Sequence, residues 1–135
     1  MGKSYLLDSN VIIGYLAAKI PQDGMKAVSE IVDQIPNISV ISQMEVLRFN
    51  DTPENEATLE RFISASVIYP LNNNIVKRTI ELCKQNKIKL PDAIIAATAL
   101  TEGFTLVTRD TDDFKMIPNL ELLNPFDSCV PKNNA

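Results

Sequence analysis

Residues 90–108 read Leu90-Pro91-Asp92-Ala93-Ile94-Ile95-Ala96-Ala97-Thr98-Ala99-Leu100-Thr101-Glu102-Gly103-Phe104-Thr105-Leu106-Val107-Thr108. Leu90-Pro91-Asp92 is a helix start, with the proline in the first turn, where its missing N–H leaves no bond unmade. Ala93 to Thr101 carry the helix, and Gly103 is the residue type that closes one. Phe104 to Thr108 then form a short apolar run bounded by polar residues, the clearest strand in the chain. A strand that is apolar at successive positions is buried on both faces. That is the mark of a parallel sheet with a helix layer on each side.

The same alternation continues outward in both directions. Tyr5-Leu6-Leu7 reads as a buried strand ending at Asp8, with Ser9 or Asn10 able to cap a helix over Val11–Leu16. Asp23-Gly24 is a turn signal. Met25, Val28, Ile31, Val32 and Ile35 recur at spacings of 3, 3, 1 and 3, an amphipathic helix stopped by Pro36-Asn37. Ile38–Ile41 reads as a second strand, followed by a helix with Ser42 as its cap. Thr52-Pro53-Glu54-Asn55 opens a helix over residues 53–67 with Leu59, Phe62 and Ile63 on one face. Val67–Pro70 is a short third strand, and Asn73 or Asn74 opens a helix through Ile75, Thr79, Leu82 and Cys83. Leu120–Leu123 is a last strand. The expected architecture is α/β, a three-layer α/β/α domain around a short central parallel sheet of four to five strands. Residues 1–125 are expected to form one domain and 126–135 a C-terminal tail, frayed from Val130.

Composition narrows the chemistry. The chain has 135 residues, 45% hydrophobic and 22% charged, within the globular range, so whole-chain disorder is excluded. It has 13 basic and 17 acidic residues, net −4 with a pI near 4.8, so the bulk basic footprint of a nucleic-acid binder is absent. It contains no histidine. That removes Ser-His-Asp and Cys-His nucleophilic sites and every His-containing metal site. Cys83 and Cys129 form neither a disulfide framework nor a CxxC pattern, and read as thiols of a reducing compartment. The N-terminus lacks a signal-peptide pattern. The apolar run Ala93–Leu100 falls far short of the roughly 20 residues that span a membrane. A soluble, cytoplasmic protein is expected.

Functional residues of open parallel sheets lie at the carboxyl ends of the strands. Asp8 directly follows the first strand. Glu45 lies in the first turn after the second. Asp92 sits in the first turn of the Ala-rich helix. Asp110 comes two residues after Thr108, with Asp112 and Asp113 behind it. Taken singly, each is as well read as a helix cap or a solvated acid. Gathered at one edge they would repel each other and favour a divalent cation, and hard oxygen ligands select Mg²⁺ or Mn²⁺. Such a site suits hydrolysis at phosphorus and needs no protein nucleophile. Arg48, Lys87, Lys89 and Arg109 are candidates to grip flanking phosphates.

Four segments resemble the motifs of PIN-domain nucleases, in the family's order: Leu6-Leu7-Asp8-Ser9-Asn10-Val11-Ile12-Ile13, Ser42-Gln43-Met44-Glu45-Val46-Leu47, residues 89–99 around Pro91-Asp92-Ala93, and Leu106-Val107-Thr108-Arg109-Asp110-Thr111-Asp112-Asp113-Phe114. The resemblance covers about residues 4–123. It implies a Mg²⁺- or Mn²⁺-dependent endoribonuclease of the VapC toxin type, commonly a homodimer, with a cognate antitoxin as inhibitor and RNA as substrate. Carried over by motif, Asp8, Glu45, Asp92 and Asp110 are the catalytic, metal-binding quartet, and Asp113 is a further ligand, directly or through water. Ser9 and Thr108 match supporting hydroxyl positions beside the first and fourth acids. Asn10 stands where many members carry Thr, Ser or Asn. The helix of residues 53–67 buries its apolar face in the core, or offers it to a dimer partner or antitoxin.

Three rivals remain at this level. One is a catalytically inactive PIN-like RNA-binding or scaffold module. A receiver-like phospho-acceptor wants an acidic pair after the first strand, and Leu7 and Ser9 flank Asp8 instead. A haloacid-dehalogenase-type phosphatase wants a second Asp two residues after Asp8, where Asn10 stands.

Overall fold

The computed structural model describes residues 3–127. Strand β1 (Tyr5–Leu7) leads into helix α1 (Ser9–Leu16) and then α2 (Gln22–Val32). Strand β2 (Asn37–Ser39) is followed by α3 (Val40–Leu47) and α4 (Pro53–Ser64), and β3 (Val67–Tyr69) by α5 (Asn73–Gln85) and α6 (Leu90–Glu102). Strand β4 (Thr105–Val107), a 3-10 turn (Thr111–Asp113) and β5 (Leu122–Leu123) complete the chain. The five strands form one sheet in the order β3-β2-β1-β4-β5, every pair parallel. The central register sets Leu6 beside Leu106 and Leu7 beside Val107.

Adjacent strand residues point to opposite faces, and here both faces are dry. Leu6 and Leu106 pack with Ile75 and Leu82 of α5 and the alanine face of α6. Leu7 and Val107 pack with Val11 and Ile12 of α1, Val28 of α2, Val46 of α3, and Leu59 and Ile63 of α4. This is the three-layer α/β/α arrangement that the continuous apolar runs require. Gly103 closes α6 in the left-handed region, at φ 75°, as expected from its type.

Several local expectations shift by a residue or more. The cap of α1 is Asp8, not Ser9 or Asn10, because its carboxylate accepts the Ser9 N–H. Strand β2 ends at Ser39, whose hydroxyl caps α3 by accepting from the Ile41 N–H. Val40 and Ile41 therefore belong to the helix, and Ser42 lies buried inside it rather than at its cap. Asn72, not Asn73 or Asn74, caps α5. Helix α4 stops at Ser64. Its Leu59 and Ile63 are core residues, and Phe62 is half-buried against Tyr15.

The expected tail begins at Phe126, yet that ring lies against Gly14 of α1: a Cβ there would stand 2.6 Å from Phe126 Cζ. Residues 128–135, including Cys129 and the expected frayed end, lie outside the described residues. Cys83 is exposed on α5. Among the described residues no helix is long and apolar enough to cross a membrane.

Candidate active site

Strands β2 and β3 extend the sheet on one side of β1, and β4 and β5 on the other. The winding reverses between β1 and β4, and the carboxyl end of that pair is where a doubly wound sheet opens a crevice. Asp8 and Thr108 leave the sheet at this point, and a hydrogen bond joins them. Thr108 Oγ1 donates to Asp8 Oδ2 at 2.8 Å and accepts from the Asp110 N–H at 3.1 Å. Asp8 Oδ1 accepts from the Ser9 N–H at 2.8 Å. Both oxygens of Asp8 are thus engaged by neutral donors, and the residue is only 5% exposed.

The other acids reach this point from separate elements. Helix α3 carries Glu45, and Ser9 Oγ donates to its Oε1 at 2.9 Å, tying α1 to α3. Asp92 is half-buried in the first turn of α6. Asp110 Oδ2 accepts from Asn10 Nδ2 at 3.0 Å, while Asn10 Oδ1 accepts from the Arg109 N–H at 3.1 Å. Asp113 lies in the 3-10 turn, which is anchored by the fully buried ring of Phe114. Asp112 stands apart on the surface, ion-paired to Lys115 at 3.4 Å.

Their charges act on one another. Burial pushes the Asp8 carboxyl up to about 6, against the pull of its hydrogen bonds to Thr108 and Ser9, and Glu45 and Asp92 push it further. Asp92 is raised by burial, then by Asp113 and Glu45, with Lys89 partly opposing and Asp110 adding to the rise. Asp8, Glu45, Asp92, Asp110 and Asp113 therefore share one electrostatic neighbourhood. Among the described residues none of the five forms an ion pair. Asp8 is buried, Glu45 and Asp92 are half-buried and Asp110 and Asp113 are exposed, and neighbouring carboxylates without a cationic partner are the donor set that a hard divalent cation satisfies. No three of them converge closely enough, among the described residues, to make a complete protein cage. Mg²⁺ keeps several waters and takes only one or two carboxylates, so this donor set fits it.

The basic candidates divide. Lys89 sits beside Asp92 at the start of α6. Arg48 ends α3, and Lys87 lies exposed in the α5–α6 connection. Arg109 is held at its backbone by Asn10, and its guanidinium lies 4.8 Å from the centroid of the Phe126 ring. The bridging role of Asn10 was not visible in the sequence, because its two partners are about a hundred positions away. Ser42, one turn before Glu45, has a buried Oγ with no hydrogen-bond partner among the described residues.

Thr108→Val keeps the shape of this junction and removes its hydroxyl. Asp8 Oδ2 then loses a donor and the Asp110 N–H loses its acceptor. The expected cost is about 2 kcal/mol, read as a lower urea midpoint. Asp8 also moves further up, so the acid limb of any Asp8-dependent activity shifts to higher pH. Thr108→Ser, which retains both bonds, is expected to behave as the parent.

A doubly wound α/β/α domain with a carboxylate cluster at its switch point is the class defined by this fold and site. The chain belongs to the PIN domain family, which it matches over residues 5–120. Among solved structures it is similar to a chain of a toxin-antitoxin complex from Klebsiella pneumoniae. That match has 31% identity and a TM-score of 0.73, covering 92% of this chain and 99% of the other. It is also similar to a chain of VapBC2 from Rickettsia felis, bound there to a DNA fragment from their promoter. Identity is 27% and the TM-score 0.72, with 89% of this chain and 97% of the other covered. A chain of DNA-bound VapBC from Salmonella typhimurium, at 24% identity and a TM-score of 0.73, shares the fold over 90% of this chain and 97% of that one. Comparison with curated proteins returns no match.

Proposed function

We propose that this chain is the toxin of a VapBC-type toxin–antitoxin pair, an endoribonuclease dependent on Mg²⁺ or Mn²⁺. The observation that carries the reading is the cluster of mutually repelling, unpaired carboxylates at the β1/β4 switch point. Similarity to the Klebsiella pneumoniae toxin-antitoxin chain over nearly its whole length supports the biological context. Asp8, Glu45, Asp92 and Asp110 would hold the cation between them, one or two directly and the others, with Asp113, through its bound waters. A bound cation supplies an acidified water and offsets the negative charge that grows on the phosphate.

The residues of this chain do the positioning. Thr108 and the Ser9 N–H fix both oxygens of Asp8. The Ser9 hydroxyl occupies Glu45 Oε1, which leaves Oε2 to accept a hydrogen bond from water. Asn10 fixes Asp110 and the backbone of Arg109 together. The substrate is RNA, the inhibitor is a cognate antitoxin, the working state is a homodimer and the compartment is the cytoplasm. In this reading the purified chain cleaves single-stranded RNA with Mg²⁺ and stops on addition of EDTA. Asp92→Asn is expected to lower the rate about a hundredfold or more. Equal cleavage with and without EDTA would overturn the metal assignment. Growth arrest on induction, relieved by co-expressing the adjacent antitoxin, tests the toxin role.

A further inference from the structure

Arg109 lies next to Asp110 in the chain and beside a five-acid neighbourhood, yet among the described residues its guanidinium forms no ion pair. It lies instead over the face of Phe126, 4.8 Å from the ring centroid. An aromatic face attracts a guanidinium without pairing its charge with an acid, so its N–H donors stay available to an anion. The pair is built into the fold from both ends. Asn124 Nδ2 donates to the Arg109 carbonyl oxygen at 3.3 Å, and Asn124 Oδ1 accepts from the Phe126 N–H at 2.9 Å. The ring rests on α1 because residue 14 has no Cβ. Asn10 then couples the Arg109 backbone to Asp110. The ring thus holds a cation that forms no ion pair among the described residues, one residue from an acid of the site.

We infer that Arg109, held over Phe126 and braced by Asn124, is the preformed phosphate grip for single-stranded RNA at the edge of the carboxylate cluster. The inference rests on the proposed ribonuclease reading and names the residue that seats its substrate. A chain with net charge −4 and an anionic site needs a local cation that its own acids do not neutralise. Arg48, Lys87 and Lys89 have no such built support among the described residues. Arg109 contacts the substrate backbone and takes no part in proton transfer.

The test uses the full chain carrying Asp8→Asn, so that RNA is bound without being cut. A labelled 12-nucleotide single-stranded RNA is titrated by fluorescence polarisation, with Mg²⁺ present, between 50 and 200 mM NaCl. Arg109→Gln, an exposed change that leaves the core intact, is expected to weaken binding about tenfold. It should also reduce the steepness of the salt dependence by about 0.7, one phosphate contact on a single strand. Phe126→Leu keeps an apolar side chain on Gly14 but removes the aromatic face. It should weaken binding about threefold with the salt slope unchanged. In the cleaving parent, Arg109→Gln should raise KM and leave kcat alone. Unchanged affinity and salt slope in Arg109→Gln would overturn the inference, as would a parent that binds no RNA. If the chain with Asp8 intact binds RNA but does not cut it, the ribonuclease reading fails while the Arg109 slope still decides the grip.

Discussion

Asp8→Asn is expected to be an inactive protein that is more stable than its parent at pH 7. The carboxyl of Asp8 titrates near 6 in the folded chain against 3.8 for the free side chain. Its charged form is therefore disfavoured by folding, by a ceiling of about 3 kcal/mol. Asparagine removes that charge and still offers Oδ1 to the Ser9 N–H. It loses the acceptor that Thr108 Oγ1 uses at Oδ2, which costs about 1–2 kcal/mol. The balance is a gain of about 1 kcal/mol, or about 4 °C in Tm.

The sign with pH follows from the raised value. Below about pH 4 Asp8 is protonated in both folded and unfolded chains and adds no penalty. As pH rises from about 4 to 6, the parent loses the stability this group had contributed, and above 6 the loss is complete. The gap between variant and parent should open across that window. Saturating Mg²⁺ reverses the order, since an ion at a hundred times its Kd stabilises the parent by about 2.7 kcal/mol and the variant far less. RNA cleavage by the variant should fall by about a hundredfold or more. An Asp8→Asn variant less stable than the parent at pH 7 without metal would show that burial is not what lifts this carboxyl.

Gly24→Ala is expected to do more structural damage than a methyl group added at Gly14 or Gly103. Gly24 sits buried in the first turn of α2, and a Cβ there would run into the Pro125 carbonyl oxygen and come within 2.9 Å of Ile20 Cγ2. A backbone carbonyl cannot swing aside as a side-chain tip does, so α2 or the segment Asn124–Phe126 has to move. A loss of about 3 kcal/mol, near 10 °C in Tm, is expected. The displacement also lifts Phe126 from Gly14, so RNA affinity should fall in the folded fraction as it does for Phe126→Leu. A Tm within about 2 °C of the parent would contradict the packing described for this segment.

The fold was legible because Tyr5–Leu7 and Phe104–Thr108 have no polar face, and a sheet covered on both sides accounts for that. The edges of elements were less legible. Ile38–Ile41 is apolar throughout and reads as a strand. The hydroxyl of Ser39 turns the backbone into α3 two residues earlier. Asp8 taken alone read more readily as a cap than as a ligand, and it caps α1 while Glu45 and Asp92 act on its charge. Asp8, Asp92 and Asp110 were found because each sits at a strand exit or helix start, whereas Glu45, expected in a first turn, lies in the second turn of α3 because that helix starts at Val40. Of the groups that hold them, Ser9 and Thr108 were reached only by family resemblance, and the bridge made by Asn10 not at all. Their partners lie across 36 to 100 positions of sequence, beyond any local pattern. Phe126 was assigned to a tail because no periodicity reaches it. Only the missing side chain at Gly14 gives it a seat.

The carboxylates gathered at the β1/β4 edge are expected to bind a hard divalent cation. Calorimetric titration of Mn²⁺ into the full chain, in two buffers of different ionisation enthalpy at pH 6 and pH 8, tests this most directly. Asp8 is about half protonated near pH 6. Binding there should release at least about half a proton per ion, and almost none at pH 8, because the ligand has to be deprotonated. Asp8→Asn should abolish both the binding and the proton release. Absence of Mn²⁺ binding by the parent, or binding with the same proton count at both pH values and in the variant, would contradict the account.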